Sequence, residues 1–187
     1  WMADPHAILL ANAFIDTAAG ETPQVPADWR DDAADVRIIQ LEGPLTDARR
    51  VELLQRGVDL LGYVPNNALL VRLDETRRPE LDTLGYIRYE IAYHPYFKAQ
   101  PALLDSVLRG RPLDGVGETW TGKILVKFFD AEAAAAGMPA IEALLGGPVQ
   151  TRQSVLGDEM VQVEAPATSI GAIARVGGVQ WIEQESI

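Results

Sequence analysis

A hydrolytic centre is assembled from histidine, serine and aspartate, and this chain has two histidines, His6 and His94. A Ser–His–Asp triad needs an imidazole beside a serine hydroxyl. The serines are Ser106, Ser154, Ser169 and Ser186, and none stands in a Gly-x-Ser-x-Gly elbow. His6 lies in the first residues of the chain and His94 precedes Pro95, so both read as structural or exposed. Asp28, Asp31, Asp32 and Asp35 could offer oxygen ligands to calcium, but they lack the alternating spacing and central glycine of a dedicated loop. They read as a solvated acidic connector. Gly115-Val116-Gly117 is no phosphate loop, because no strand runs into it and no Lys-Ser or Lys-Thr follows. With no cysteine there is no disulfide, thiol nucleophile or thiolate metal site. The residues by themselves assign no catalytic, cofactor-binding or metal-binding position and read as a non-enzymatic module.

Charge narrows the partners. Phe128-Phe129 is a pair of the kind that stacks on bases in an RNA-binding sheet, but on an acidic chain adjacent strand aromatics read as one core residue and one packed on the other face. A net charge of −11 with scattered Lys and Arg opposes any phosphate-binding face, so no nucleic acid is expected. No run approaches the roughly 18 apolar residues of a membrane span. No basic n-region leads into an apolar h-region, so no export signal is read in these residues. The opening Trp1-Met2 reads as a fragment or a trimmed chain. At 187 residues and 48% apolar content, the chain can build one large domain or two small ones.

The clearest elements lie in Val36–Leu73. Val36–Leu41 reads as a strand, Gly43-Pro44 breaks it, and Thr46 stands where a helix N-cap would. Asp47–Arg56 carries a Val51, Leu53, Leu54 stripe, and Gly57 follows where a left-handed conformation is least costly. Val58–Val64 and Ala68–Leu73 read as strands about a Pro65-Asn66-Asn67 turn. A helix over Asp74–Leu84, with its start signal at Thr76, and a strand over Tyr86–Tyr93 complete the unit. Upstream, Ala7–Phe14 reads as one short strand, followed by an acidic connector over Glu21–Asp35 with room for one helical turn.

The pattern loosens between Pro95 and Gly122, apart from a short helix over Ala102–Leu108, and then starts again. Ile124–Phe129 is strand-like, Met138–Leu145 helical, and Pro148–Val155 and Glu159–Glu164 extended about a Leu156-Gly157-Asp158 hairpin turn. A helix from Pro166 to Arg175 and a strand over Val179–Glu183 follow. Gly57 aligns with Gly146 or Gly147, and Leu69-Leu70-Val71 with Val161-Gln162-Val163. The expected fold class is α+β, with two tandem ferredoxin-like βαββαβ units, each an antiparallel sheet with two helices, preceded by a short N-terminal strand. The expected division is 1–35 strand and connector, 36–98 first unit, 99–122 linker, and 123–187 second unit.

Ile38–Leu45 (IIQLEGPL), then Gly57-Val58 and Leu60–Arg72 (LLGYVPNNALLVR), resemble the N-terminal regions of secreted subtilisin-like serine peptidases. In that family a strand of the type IVQFxGPL leads to a helix and then to GxxLLxYxPNNAxLVR. Ile87-Arg88-Tyr89 with Tyr93–Lys98 is similar to the family's VRWVxxYxPxYK, and Ile8–Gly20 to its short strand and IDTxxG turn. The resemblance is strongest over 36–98; over 123–187 it rests on element order and on Val179–Glu183. The peptidase's catalytic Asp, His and Ser motifs are absent from this chain.

The resemblance implies a pro-region that chaperones the folding of its catalytic domain and then inhibits it. It implies export to the periplasm, cell surface or medium. It also implies a partner, the cognate protease domain, bound in cis and also able to bind in trans. The tail residues Glu183, Gln184, Glu185, Ser186 and Ile187 would approach the substrate cleft. Two other readings stand beside it: a regulatory module with a small-molecule pocket between the repeats, and a scaffold for a partner protein.

Overall fold

The computed structural model describes residues 4–20, 22–110, 121–149, 151–155 and 158–185. The fold is α+β and its sheets are antiparallel. The chain divides into two compact units, Trp1–Val25 with Arg30–His94, and Pro26–Trp29 with Pro95–Ile187.

The first unit opens with a hairpin of β1 (Ala7–Leu9) and β2 (Phe14–Asp16). The expected single strand over Ala7–Phe14 is broken because Leu10 N–H bonds to the Ala13 carbonyl at 2.9 Å, which closes a tight reversal around Asn12. The unit's sheet is built from β3 (Val36–Leu41), β4 (Asp59–Val64), β5 (Ala68–Arg72) and β6 (Ile87–Ala92), in the order β4-β5-β3-β6. Helix α1 (Asp47–Gln55) connects β3 to β4, and the Thr46 side chain accepts from Arg49 N–H at 3.3 Å as its N-cap. Gly57 has φ +72°, the left-handed conformation that releases the chain from the helix. The β4–β5 turn places Asn66 and Asn67 at φ +67° and +60°, where asparagine is the best tolerated residue with a side chain.

One sheet face carries Ile39, Leu41, Leu69 and Val71, which pack with Leu53 of α1 and with Leu81 and Leu84. Asp74–Leu84 differs from the expected helix. Glu75–Thr83 is 3₁₀-helical, and its cap is Asp74, whose carboxylate accepts from Thr76 N–H at 2.8 Å. Pro79 has no N–H to give to an α-helical ladder, and in a 3₁₀ helix side chains three apart eclipse. That geometry aligns Arg77 with Glu80 at 3.2 Å and Glu75 with Arg78 at 3.4 Å. Beneath it, the buried Arg37 pairs with Glu90, which also meets Arg78 at 3.1 Å.

The second unit's sheet runs β10-β7-β9-β8, from β7 (Thr121–Phe128), β8 (Thr151–Val155), β9 (Asp158–Pro166) and β10 (Val179–Gln184). One face, with Ile124, Val126, Phe128, Val161 and Val163, is buried, as are Ile141 of α3 (Ala131–Leu145) and Ile173 of α4 (Ile170–Arg175). Helix α3 spans Ala131–Leu145, two turns more than expected before Met138, because Asp130 caps it at 2.7 Å and the alanines that follow favour helix. Pro139 therefore lies inside the helix rather than in its first turn. Gly137 permits close packing: a Cβ there would sit 2.6 Å from the Phe128 ring. Residues 99–110, expected as the start of a linker, form an Ala99–Ile182 bridge and helix α2 (Pro101–Arg109), with Leu103 and Leu104 buried.

Candidate functional site

His94 is buried, accepts from Asp31 N–H through Nδ1 at 3.1 Å, and lies 4.0 Å from an Asp32 oxygen. Burial lowers its pKa below the usual histidine value, against the opposing pull of the Asp31 backbone and the Asp32 charge. Asp32 is held lower than an ordinary carboxyl by its hydrogen bond from Arg30. His6 sits 3.2 Å from the Arg88 guanidinium. Among the described residues no group of three or more histidines, aspartates or glutamates is placed to hold a metal, and no helix is long and apolar enough to cross a membrane. Gly115-Val116-Gly117 and the Leu156-Gly157 part of the expected turn lie outside the described residues. Phe128 is fully buried in the second core and so is not a stacking platform.

Of the tail residues, Glu183, Gln184 and Glu185 fall along one sheet edge. Glu183 and Gln184 belong to β10, opposite Leu125 and Ile124 of β7, and Glu185 N–H bonds to the Lys123 carbonyl at 3.0 Å. On the outer side of β10, Gln100 N–H reaches the Ile182 carbonyl at 2.8 Å, and the Gln100 side chain accepts from Gln184 N–H at 3.1 Å. Ser186 and Ile187 lie outside the described residues.

The sheet faces away from the helices differ between the units. In the first unit this face carries Ile38, Gln40, Ala68 and Leu70, all buried. The β1–β2 hairpin is tied to it. Thr17 Oγ1 lies 2.6 Å from Gln40 Oε1, Gln40 Nε2 donates to the Asn66 carbonyl at 3.0 Å, and Asn66 Nδ2 donates to the Ala7 carbonyl at 2.8 Å. Ala7, Ile8 and Ile15 are buried with it. In the second unit the corresponding positions are Leu125 and Lys127 on β7, Met160 and Gln162 on β9, and Trp181 and Glu183 on β10, all half-buried. The register sets Lys127 between Trp181 and Met160, and Leu125 between Glu183 and Gln162. Leu125, Lys127, Met160, Trp181 and Glu183 line a cavity of about 270 Å³. Glu183 accepts from Trp181 Nε1 at 3.0 Å, and Gln162 bonds to Glu185 across the face.

Of these positions, sequence reasoning singles out only Glu183, although on β9 alternation points to the face: Val161 and Val163 face the core, so Met160 and Gln162 cannot. The first unit offers a separate groove of about 590 Å³, lined by Pro44, Leu45, Tyr63, Val64, Pro65 and their neighbours. Tyr63 is 68% exposed and accepts from Arg50 at 3.2 Å.

Residues 8–94 match the model of a domain of unknown function, DUF8729. The match begins in β1 and ends at His94, the last residue of the first unit. Neither the curated proteins nor the solved structures contain a match to this chain.

Proposed function

We propose that this chain is the pro-region of a subtilisin-like serine endopeptidase, acting as intramolecular chaperone and autoinhibitor of the catalytic domain, and that its units are tandem ferredoxin-like βαββαβ domains. The observation that carries the reading is the motif series in Ile38–Arg72. Its residues resemble that family's pro-regions, and each holds a structural station. Gly43-Pro44 leaves β3, Gly57 leaves α1 in the left-handed region, and Pro65-Asn66-Asn67 makes the β4–β5 turn. The ferredoxin-like reading draws support from strand order: in both units the first and third sheet strands lie centrally and the second and fourth at the edges. Export belongs to the same proposal.

A partner that binds the native-like catalytic domain and not its unfolded chain stabilises it by mass action, by about 2.7 kcal/mol at a hundredfold excess over Kd. A partner that also stabilises the folding transition state shortens the time spent in aggregation-prone forms. Glu183, Gln184 and Glu185 then serve as the sheet-bound anchor from which the tail leads to the cleft. An extended tail binds such a cleft by backbone pairing.

The test is biochemical. The catalytic domain to use is one encoded in the same reading frame downstream of Ile187, recognised by its Asp, His and Ser motifs. The purified chain, added in trans at micromolar concentration, should inhibit that domain and raise its yield on refolding. Absence of both effects would sink the proposal. A second reading, a ligand- or partner-binding module, is favoured by the Tyr63 groove, and saturable shifts in melting temperature with small metabolites would support it.

A further inference from the structure

We infer that the first unit binds a short extended peptide along β4, with a side-chain carboxylate of the peptide at Arg50 and an apolar side chain in the groove beside Tyr63. This deepens the partner-binding reading, on which it rests, and does not depend on the pro-region one. β4 is an edge strand of its sheet. The β3–β5 ladder settles which of its backbone groups face outward. Leu41 N–H bonds to the Asn67 carbonyl and Leu73 N–H to the Asp35 carbonyl. That turns Asn67, Leu69, Val71 and Leu73 towards β3 and leaves Ala68, Leu70 and Arg72 for β4. Val64 and Gly62, opposite Ala68 and Leu70, therefore bond inward, and Tyr63 between them points its N–H and C=O off the sheet edge. An extended peptide takes up such groups by backbone pairing. The register shift between Leu60 and Gly62 interrupts the strand and confines that pairing to the end nearest the turn.

The same end of β4 borders the groove of Pro44, Leu45, Tyr63, Val64 and Pro65, whose volume of about 590 Å³ accepts an apolar side chain. Its charge comes from α1. The chain has a net charge of −11, and Arg37, Arg56, Arg72, Arg77 and Arg78 of this unit each pair with an Asp or Glu. Arg49 and Arg50 are held differently. Among the described residues, the Arg49 guanidinium donates to the Pro44 and Glu42 carbonyls at 3.1 and 3.4 Å and lies over the Tyr86 ring. Arg50 donates to the Tyr63 hydroxyl at 3.2 Å. Two guanidiniums held by neutral groups thus flank an apolar groove, one at Pro44 and one at Tyr63. A carboxylate brought to the exposed Arg50 gains charge-assisted hydrogen bonds that Tyr63 alone does not give. Asp59, exposed at the other end of β4, opposes a carboxylate there, so the acidic residue belongs at the Tyr63 end.

The probes are capped, fluorescein-labelled peptides about seven residues long, the length of an ordinary strand, with mixed β-forming residues around a fixed leucine–glutamate pair. Matched sets carry leucine–glutamine and leucine–lysine. Fluorescence anisotropy with the full chain should show the glutamate set binding roughly tenfold more tightly than the glutamine set, and the lysine set most weakly. Added salt should narrow the gap. Arg50→Gln should erase the preference for glutamate and leave binding of the glutamine set unchanged, a split that loss of the fold would not produce. Tyr63→Ala should weaken all three sets, and Leu144→Ser, exposed on α3 of the second unit, should weaken none. N-methylation of alternate peptide amides, which blocks strand pairing, should abolish binding. On the wild-type chain, hydrogen exchange of the Tyr63 amide should slow several-fold in the complex. Equal affinity for the three sets, or for the N-methylated peptides, would overturn the inference. Peptide binding that neither Arg50→Gln nor Tyr63→Ala alters would overturn this site and leave the partner-binding reading standing. No binding by any set below roughly 1 mM would overturn both the site and the unit as a peptide binder. Inhibition of a protease domain is a separate measurement and decides neither.

Discussion

The Thr17 hydroxyl lies 2.6 Å from the Gln40 side-chain carbonyl, joining the N-terminal hairpin to the middle of β3 in a site closed to water. The same Thr17 also takes the His6 carbonyl through its backbone N–H at 2.8 Å, so one residue closes the hairpin and fastens it to the sheet. A polar pair under an apolar cover specifies one placement of the hairpin, because any other takes the Thr17 hydroxyl away from Gln40 Oε1, while Gln40 Nε2 keeps its bond to the Asn66 carbonyl.

Removing one member should therefore cost more than removing both. Thr17→Val strands the Gln40 carbonyl oxygen and should destabilise the first unit by about 1–3 kcal/mol. Gln40→Leu added to it should recover part of the loss. Urea unfolding of the two single variants and the double variant gives the coupling, and strict additivity would show that the pair does not act as a unit.

Gly137 tests how closely α3 approaches its sheet. Alanine is the better helix former by about 1 kcal/mol. The Cβ it adds would stand 2.6 Å from Phe128 and 3.2 Å from the Gly177 carbonyl. Overpacking of this kind costs about 1–3 kcal/mol, so Gly137→Ala should lower the melting temperature of the second unit despite the gain in propensity. A raised melting temperature would mean that the helix can move aside freely.

Arg37 and Glu90 form a buried pair under the 3₁₀ segment, shared with Arg78. Glu90→Ala leaves the Arg37 guanidinium buried without its counter-charge, and a broken buried pair typically costs about 3–5 kcal/mol. Replacing both partners by apolar residues, Arg37→Met with Glu90→Leu, should cost less than the single change. Chemical denaturation of the three variants decides it.

His94 sets a pH dependence whose sign follows from its lowered pKa. Burial disfavours its charged form, so the folded state binds a proton less readily than the unfolded chain. The unfolded chain holds the extra proton once pH falls below about 6.5. His94's contribution is therefore complete above that pH and is lost as pH falls through the lower folded value. His94→Gln should flatten this part of the stability profile, measured by denaturant midpoints between pH 7.5 and pH 5, roughly the range in which histidine titrates.

Much of the chain's local structure was legible before its packing. Thr46 caps α1, Gly57 ends it in the left-handed region, and Pro65-Asn66-Asn67 turns, because each satisfies a backbone requirement within a few residues. Asp130 was equally local as a cap for α3, but Pro139 drew the expected start too far along the chain. Three features were not legible: the hairpin reversal near Asn12, the 3₁₀ winding over Arg37–Glu90, and the seating of α2. Each depends on surfaces brought together from distant residues.

The candidate site divides the same way. Alternation is enough to set Leu125 of β7 and Met160 of β9 away from the core, but Trp181 reaches that side only because the register of β10 shifts after the buried Val179. Whether that side is covered is a different matter. In the first unit Ile8 and Ile15 arrive from outside the sheet to bury it, while in the second Trp181 and Met160 remain half-buried. Caps, turns and strand alternation were the sequence's to determine, since they are settled within a turn or a strand. Which sheet face stays available was decided by tertiary structure, because burial depends on what another part of the chain places on top of it.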